Sequence, residues 1–328
     1  MSLIRGSDLK GILPCVISGG RPTLKQRHTH KLLEALHGVT ADPVWIVDDK
    51  ESATYEPDGH EIVTYSHDWA FEYASTHWTG INPPDYNGFL GCCTGRETAC
   101  RTAEARGCWA VLQLDDNITQ LAVFRGMKSG LSLAKDEGGL GMYADALGAV
   151  TLATNGRMVG GFLNSVNPHY KFSTARLGFP YSLFLERVGK GREEWYGPFE
   201  ADIVHALQYG TSADVGTSLV VNVLQYRKDH TGGGGMRTGY NHERAVPLQR
   251  MFPESAKIGV NAAHSNGRGG PRIFHRMNNK SIRTPMVVTD HDLFAKVTKY
   301  FATLADEYSA RQRVNLRERA AKRAARWA

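Results

Sequence analysis

The sequence predicts an α/β protein with a mixed sheet flanked by helices and with polar side chains along one edge of that sheet. Two apolar runs, residues 44–47 and 109–114, have the composition of buried strands, and each leads into two acids. Between an earlier strand-like segment, residues 11–18, and the first of these runs, the leucines of residues 23–37 can form one helical face. Strands that alternate with helices favour a sheet that binds its ligand at the carboxyl edge.

Turn residues and periodicity define the next elements. The turn Gly-Gly-Arg-Pro at residues 19–22 ends the first strand. Residues 52–93 are rich in aromatic side chains without a clear period, so they predict a long loop or a small insertion. Thr94 and Glu97 have the spacing of a capping box, which predicts a helix that begins there and stops at Gly107.

The second half of the sequence predicts two more strands, a helix between them and a terminal helix. The strands cover residues 149–154 and 218–226, and the helix covers residues 199–209. Residues 229–272 are rich in glycine and basic side chains and predict loops. The cap Asp-His-Asp at residues 290–292 predicts the start of a basic helical extension at the C-terminus.

Composition restricts the class of protein. The 328 residues carry a net charge of +6 with a pI near 9.0, which permits a polyanionic partner. Five cysteines without Cys-x-x-Cys spacing argue against a zinc site and fit a reducing compartment. Arg5, Asp8 and Lys10 interrupt any signal-peptide core, and no apolar run approaches the length of a membrane span. We therefore expect a soluble cytoplasmic protein.

The strongest chemical signal is the strand end Asp115-Asp116-Asn117, which follows Leu114 directly. Isolated charges are excluded from the middle of a buried strand, so this triplet indicates the ligand-binding edge of the sheet. Carboxylate and amide oxygens are ligands of the type that Mg²⁺ and Mn²⁺ prefer, and substrate phosphates usually complete the coordination of these ions. The alternative is an acidic turn after a strand.

A second motif places Glu200 and Asp202 at the start of the helix predicted over residues 199–209, after a glycine-proline turn. A carboxylate at this position can act as the general base that removes a proton from an acceptor hydroxyl. The alternative is a purely structural role, because acids in a first helical turn interact favourably with the helix dipole and the unpaired N–H groups.

A third motif combines a glycine run with basic side chains. Lys228 and His230 precede four consecutive glycines, and Arg237 follows them. Glycines let backbone N–H groups approach an anion closely, and the basic side chains add charge or metal ligation. A flexible loop is the alternative. Together, the three motifs indicate a site for a nucleotide sugar.

The acidic triplet resembles the Asp-x-Asp motif of the GT-A glycosyltransferases, and residues 195–202 resemble the acceptor-side motif of that Rossmann-like fold. More narrowly, the chain is similar to the phage glycosyltransferases associated with TET/JBP dioxygenases, in three segments that occur in the family's order, residues 112–118, 199–208 and 228–237. The resemblance covers about residues 10–245. It departs from the family pattern in two places, with Glu-Ala-Asp instead of Glu-Asp and with Asn117 as the third residue of the metal motif.

The resemblance implies a donor, a metal and an acceptor. Those enzymes attach sugars to hydroxymethylated pyrimidines in DNA, so the implied donor is a UDP-sugar, the implied metal is Mn²⁺ or Mg²⁺, and the implied acceptor is 5-hydroxymethylcytosine in double-stranded DNA. The implied bases are Glu200 and Asp202. The nucleotide-binding residues would be Ser18, Gly19, Arg21, Asp48, Arg96, Asp115, Lys228 and Arg237. The metal ligands would be Asp115, Asp116, Asn117 and His230.

With a DNA acceptor implied, the basic residues outside the motifs gain a role. We expect a catalytic domain over residues 1–245, a glycine-rich basic loop region over residues 246–289 and a basic helix over residues 290–328. The candidate contacts with DNA phosphates are Arg268, Arg272, Arg276, Arg311, Arg313 and Arg317. The aromatic residues between 69 and 89 either stack on a flipped base or pack under a loop.

Other functions remain open on the sequence alone. A GT-A transferase with a non-DNA acceptor or a nucleotidyltransferase would need the same sheet and acids. A non-catalytic nucleic-acid-binding protein would need the basic surface, but it would have no use for Asp115, Asp116 and Glu200 together.

Overall fold

A computed structural model gives the fold and describes residues 2–76, 90–123, 131–132, 139–163, 173–197, 200–212, 216–229, 241–261 and 272–324. The helices are α1 (Gly6–Lys10), α2 (His30–Leu33), α3 (Asp49–Ser52), α4 (His67–Thr76), α5 (Leu90–Ala105), α6 (Gly139–Ala153), α7 (Ala201–Thr211), α8 (Asn241–Met251) and α9 (His291–Ala324). The strands are β1 (Ile12–Ile17), β2 (Val44–Asp48), β3 (Glu61–Tyr65), β4 (Ala110–Asp115), β5 (Ile118–Val123), β6 (Leu131–Ser132), β7 (Gly156–Leu163), β8 (Arg176–Leu177), β9 (Leu183–Arg187), β10 (Thr217–Lys228), β11 (Ala256–Asn261) and β12 (Arg272–Met277).

One large mixed sheet forms the centre of the molecule. Its strand order is β3-β2-β1-β4-β9-β7-β10-β5-β6, and β8 also pairs with β10. The first four strands are parallel, β9 is antiparallel to both β4 and β7, and β10 is parallel to β7. β11 and β12 form a separate antiparallel hairpin. The predicted mixed α/β sheet with flanking helices is confirmed.

Strand β4 shows how the sheet separates two apolar cores. Leu112 and Leu114 lie in the core beneath α6 and α9, whereas Val111 lies in the core beneath α5 and α7. Side chains alternate between the two faces of a strand, so Gln113 and Asp115 fall on the same face as Val111. The strand therefore directs the Asp115 carboxylate towards α5 and α7.

The connection between β4 and β5 bends the sheet. Asp116 and Asn117 alone join these strands, although β9, β7 and β10 lie between them in the sheet order. Four strand spacings in a flat sheet would separate β4 from β5 by about 19 Å. The chain from Asp115 to Ile118 can span at most about 11 Å. The sheet therefore curls at its carboxyl edge, where Lys228 at the end of β10 pairs with Ile118.

Two sequence predictions in the sheet layer and its neighbours are wrong. Residues 149–154 were expected to form a strand but belong mainly to the end of α6, which is buried on nearly all sides. The pattern of a short apolar segment does not distinguish a buried strand from a buried helix. The helix predicted over residues 23–37 begins only at His30, and the segment before it forms separate turns, in which Gln26 N donates to the Thr23 carbonyl at 3.0 Å and His30 N to the Arg27 carbonyl at 3.2 Å.

The loop predictions are also wrong in part. Residues 52–93 contain β3, α4 and the start of α5. Helix α5 begins at Leu90, so Thr94 lies inside it and is not a cap. Within residues 229–272, the structure has α8 and β11, and α8 crosses the domain boundary expected after residue 245. Within the described residues, no helix is both long and apolar enough to cross a membrane.

The C-terminal helix α9 begins where its cap predicted, with Asp290 Oδ1 accepting a hydrogen bond from Leu293 N (2.9 Å). Val297 and Phe301 on its first half are fully buried against the core that contains α6. The first half of α9 is therefore part of the main fold, whereas Val314 further along is 53% exposed.

The close packing of β7 against β9 predicts a large effect of Gly160→Ala. A Cβ atom at Gly160 would lie 2.7 Å from the Leu183 carbonyl oxygen and 2.9 Å from Phe184 Cβ, both on a neighbouring strand. Overpacking of this kind costs about 1–3 kcal/mol. We expect urea unfolding to give a lower free energy for Gly160→Ala. Gly6→Ala, where no atom lies within 4 Å of the added Cβ, is the matched control. Equal stability of both variants would contradict the packing.

Candidate active site at the carboxyl edge of the sheet

Asp115, the last residue of β4, lies between two cations. Arg96 Nη2 donates to Asp115 Oδ1 at 2.7 Å, and Lys228 Nζ donates to Asp115 Oδ2. Arg96 comes from α5 and Lys228 from the end of β10, so three elements meet at this carboxylate. Burial opposes ionisation of Asp115, but the charges of Lys228 and Arg96 hold its pKa below the usual range. The carboxylate is therefore ionised at neutral pH.

Asp116 makes a second ion pair next to the first. Its Oδ1 accepts from Arg21 Nη1 at 2.6 Å, and its Oδ2 accepts from Ser18 Oγ at 2.7 Å. Ser18 directly follows β1 and also contacts the Tyr55 hydroxyl at 3.0 Å. Burial raises the pKa of Asp116 in spite of Arg21 and Ser18, which favour the ionised form. The Gly-Gly-Arg turn after β1 thus brings a third cation to the site.

Backbone contacts fix the turn that carries these acids. Thr29 Oγ1 donates to the Asp115 carbonyl at 2.6 Å, and Thr29 N donates to the Asp116 carbonyl at 3.0 Å. Asn117 Nδ2 donates to the Asp229 carbonyl at 2.6 Å, and Asp229 N donates to the Asn117 carbonyl at 2.9 Å. The acidic turn is therefore tied to the chain after β10 and to the segment before α2.

Two local irregularities of the backbone lie next to the contact between Lys228 and Asp115: a register shift between β10 and β5, and a positive φ at Ser182. Arg227 pairs with Gln120 and Lys228 with Ile118, so Thr119 is an extra residue on β5, and this irregularity in the ladder lies directly before Lys228. Lys228 Nζ also donates to Ser182 Oγ at 2.7 Å. Ser182, just before β9, has a positive φ of 56°, which is uncommon for a residue other than glycine.

Asp202, in the first turn of α7, is a further carboxylate at this edge, and its pKa is shifted in the opposite direction from that of Asp115. Burial raises the pKa of Asp202 to about 6, with Glu200 and Asp115 also raising it and with Arg96 and Lys228 lowering it. Glu200 is the residue that precedes the helix, with a φ of 53° and no side-chain cap bond. The alternative of a structural role at the helix start is therefore not met by a Glu200 cap, whereas Asp202 Oδ1 does accept from Ile203 N in the first turn, at 3.1 Å.

A buried polar network lies behind the site on the face of α5 and α7. Glu186 on β9 is fully buried, and its carboxylate accepts from Tyr209 (2.8 Å) and from Gln113 Nε2 (2.9 Å). His205 Nε2 contacts the same carboxylate at 2.7 Å. Although burial opposes ionisation, His205 and the hydrogen bonds lower the pKa of Glu186. Gln113 Oε1 also accepts from Arg96 Nη1 at 3.3 Å, so the network reaches the site.

Arg96 is held by rings as well as by hydrogen bonds. Its guanidinium lies 5.0 Å from the ring centre of Phe184 and 5.3 Å from that of Trp195. Trp195 in turn donates through Nε1 to Glu186 at 3.1 Å and accepts at its carbonyl from the Tyr73 hydroxyl at 2.8 Å. Cation–π contacts with buried rings stabilise the charged arginine. Arg96 is therefore positioned from both sides.

The described arrangement does not fit a divalent cation at the predicted metal ligands. Both oxygens of Asp115 contact cations, and the oxygens of Asp116 contact Arg21 and Ser18. Asn117 Oδ1 is a buried acceptor with no partner among the described residues, but it is one neutral ligand. His230 lies outside the described residues. The metal ion implied by the sequence stays a prediction.

The structure brings together most of the predicted site residues. Ser18, Arg21, Arg96, Asp115, Asp116, Asn117 and Lys228 are connected by the contacts above, with Asp202 and Glu200 beside them. Asp48 is used locally, because its carboxylate accepts from Lys50 N (2.9 Å) at the start of α3 and contacts His67 Nδ1 (2.7 Å). Gly19 lies in the turn before Arg21. Arg237 and Arg268 lie outside the described residues.

The candidate DNA contacts lie on two elements. Arg272 and Arg276 lie on β12, where Arg276 is exposed and its guanidinium is 5.3 Å from the Phe274 ring centre. Arg311, Arg313 and Arg317 lie on the second half of α9, where Arg317 is exposed. The β11–β12 hairpin approaches the site, since His275 Nδ1 lies 3.9 Å from Glu200 Oε1.

Several site residues were missed by sequence reasoning. Thr29, Ser182, Glu186 and His275 have no recognisable motif, and each acts through a partner that is distant in sequence. A signal was available for Glu186, because it follows the apolar run 183–185 directly and a charge that is buried with such a run needs donors nearby.

Comparison with known proteins assigns no family. No known protein-family profile matches the chain, and the search of curated proteins found no match. A solved structure described as "Crystal Structure of a Mycobacterial Protein" aligns with a TM-score of 0.41 and 10% sequence identity, over 84% of this chain and 88% of that one. No functional residue is carried over at this similarity.

The raised pKa of Asp202 predicts a pH-dependent cost in stability. The folded state binds this proton more tightly than the unfolded state, whose carboxyl pKa is about 4. Stability contributed by Asp202 therefore falls as the pH rises from about 4 to about 6, and the loss persists above that range. We expect Asp202→Asn to gain stability relative to the parent protein between pH 4 and pH 7 in urea unfolding. Asp68→Asn, whose side chain is 94% exposed, is the control. A stability difference that does not change with pH would contradict the assignment.

Proposed function

We propose that this protein is a glycosyltransferase that moves a sugar from a nucleotide sugar, UDP-linked by the family resemblance, to the hydroxyl of a hydroxymethylated pyrimidine in double-stranded DNA. The observation that supports it best is the meeting of two kinds of group at one sheet edge. One is the cation cluster of Arg21, Arg96 and Lys228 around Asp115 and Asp116. The other is Asp202, a carboxyl group whose pKa of about 6 suits a general base near neutral pH.

The cation cluster suits the leaving group of such a reaction. When the bond between the anomeric carbon and the phosphate oxygen breaks, the electron pair stays on the diphosphate, which gains negative charge. Arginine and lysine side chains held in place before the reaction stabilise charge of this kind. Arg96, with Phe184, Trp195, Gln113 and Asp115 around it, is held in this way.

Asp202 suits the acceptor side. The acceptor oxygen forms the new bond to the anomeric carbon and its proton passes to the Asp202 carboxylate, so the group must be ionised at the start. Glu200 lies next to it, but its positive φ directs the chain into α7 and its carboxylate lies near His275. We therefore assign the base to Asp202 and assign Glu200 to acceptor positioning.

A nucleotidyltransferase or a glycosyltransferase with a small-molecule acceptor would use the same donor-side cations. The observations that favour DNA are the basic residues of α9 and the exposed Arg276 on the hairpin beside Glu200. A binding protein without activity has no need for an acid of raised pKa beside a cation cluster.

The direct test incubates the purified protein with hydroxymethylcytosine-containing duplex DNA and a panel of nucleotide sugars, with Mn²⁺ or with excess EDTA. The DNA is then digested to nucleosides for mass spectrometry. We expect a nucleoside heavier by one sugar residue with a UDP-sugar. Unmodified cytosine DNA is the control. If no donor gave a modified nucleoside in DNA but a sugar was transferred to another acceptor, the protein would be a glycosyltransferase with a non-DNA acceptor.

Removal of the base should reduce turnover much more than binding. We expect Asp202→Asn to lower kcat by about 10²–10⁴-fold, because an amide cannot accept the proton of the acceptor hydroxyl as the carboxylate does. Donor affinity should change much less than kcat, since the role proposed for Asp202 is towards the acceptor. The rate of the parent protein should rise with pH through about 6 as Asp202 ionises. Asp68→Asn is again the control, and near-normal kcat in Asp202→Asn would disprove the assignment.

Deletion of residues 310–328 should weaken DNA binding and leave the fold intact. The deletion removes Arg311, Arg313 and Arg317 but keeps the buried Val297 and Phe301 that attach α9 to the core. Each neutralised phosphate contributes about 0.9 to the slope of log K against log salt concentration, so that slope should become shallower.

The control for the deletion keeps the helix and removes its charge. A chain with Arg311→Gln, Arg313→Gln and Arg317→Gln should show the same direction of change in fluorescence-anisotropy titrations at several salt concentrations. Affinity for a uridine nucleotide should be unchanged in both variants. An unchanged salt slope would assign the DNA contact to other residues, with Arg276 the next to test.

A further inference from the structure

The acids at the end of β4 pair with arginine and lysine side chains, whereas the acids of a metal centre bind a metal ion. Lys228 and Arg96 take both oxygens of Asp115, and Arg21 and Ser18 take those of Asp116. A divalent cation bound to Asp115 would have to share the carboxylate with Arg96 and Lys228 or displace them, and it would lie beside two positive side chains. Like charges at this separation repel each other strongly inside a protein.

The same side chains have the chemistry of a diphosphate site. An ammonium group has three N–H donors, and Asp115 and Ser182 account for two of those of Lys228 among the described residues. A guanidinium has five, and Asp116 accounts for one of those of Arg21. Arginine pairs with phosphate through two parallel hydrogen bonds, and lysine adds a point charge.

The cluster is also open to a ligand on one side. The side chain of Asp115 is 24% exposed, and those of Arg21 and Lys228 are 15% and 12% exposed, whereas Asp116 behind them is 2% exposed. Asp116 therefore holds Arg21 from within, whereas Arg21 and Lys228 reach the open edge beside the Asp115 carboxylate. Arg96, which is 7% exposed, lies behind this opening. Three segments that are far apart in sequence supply the three cations, namely the turn after β1, helix α5 and the end of β10.

We infer that Arg21 and Lys228 bind a diphosphate group directly, with Arg96 behind them adding positive charge, and without a divalent cation between the phosphates and Asp115. Asp115 and Asp116 act as positioning residues that keep the three cations together. This inference rests on the proposed function for naming the diphosphate as that of a nucleotide sugar, but the binding chemistry itself can be tested with simpler ligands.

The first measurement is isothermal titration of the full chain with inorganic pyrophosphate and with UDP, each in excess EDTA and each with Mn²⁺. We expect both ligands to bind in EDTA, with affinities that Mn²⁺ does not raise. Mn²⁺ alone, followed by electron paramagnetic resonance, should show no saturable binding. Binding that requires Mn²⁺, Mn²⁺ binding that Asp115→Asn abolishes, or no diphosphate binding under either condition would overturn the inference.

Variants identify the side chains. Lys228→Met and Arg21→Met should each weaken pyrophosphate binding in EDTA by about tenfold, as expected for one charged hydrogen bond. Lys228→Arg keeps the charge and should retain most of the affinity, so it separates loss of binding from loss of folding. Lys190→Met, at an exposed lysine outside the site, is the matched control. Equal affinity in Lys228→Met and the parent protein would overturn the inference.

Failure of this inference and failure of the proposed function give different results. Sugar transfer to DNA that requires Mn²⁺ would support the proposed function and disprove diphosphate binding without a metal ion. Diphosphate binding in EDTA, without sugar transfer to any hydroxyl, would support the diphosphate site and disprove the glycosyltransferase assignment.

Discussion

The two-residue connection between β4 and β5 constrains every other feature of the site. Asp116 and Asn117 must join strands that have three others between them in the sheet, so the carboxyl edge has to curl until the end of β10 lies beside the end of β4. Without this curl, Lys228 would lie far from Asp115. The pairing of charges at the site is thus a consequence of chain connectivity, and the ion pairs in turn neutralise the acids in a place where unpaired carboxylates would be costly.

The buried carboxylate of Glu186 supports the same edge from below. An ionised carboxylate in the core costs several kcal/mol unless donors surround it. Here β4, α7 and the segment before α7 all supply contacts, through Gln113, His205, Tyr209 and Trp195. The cost of burial is offset only when these elements are in place together, so the network couples the packing of α7, which carries Asp202, to the position of Arg96.

The sequence predicted the parts of this site that depend on local pattern. Apolar runs that end in acids identified β2 and β4, and the helix start identified Glu200 and Asp202, because burial and chain direction follow from alternation and turn residues. The partners of the acids could not be predicted as partners. Arg96 and Lys228 are 19 and 113 residues from Asp115, and their convergence depends on the strand order and on a bulge that has no sequence signature. Helix α6 was mistaken for a strand for a related reason: burial on all sides removes the periodicity that distinguishes the two.

The turn at Gly107 joins α5 to β4 at the edge opposite the site. Gly107 is exposed, its φ is 68°, and no atom lies within 4 Å of where a Cβ would be. For protein engineering this turn is an insertion point and not a substitution site, because its φ favours glycine: a tag inserted there would lie a full strand length away from Asp115. Exposed turns of this kind are also where insertions are tolerated best, so chain length can change here during evolution without disturbing the acids and cations at the opposite edge.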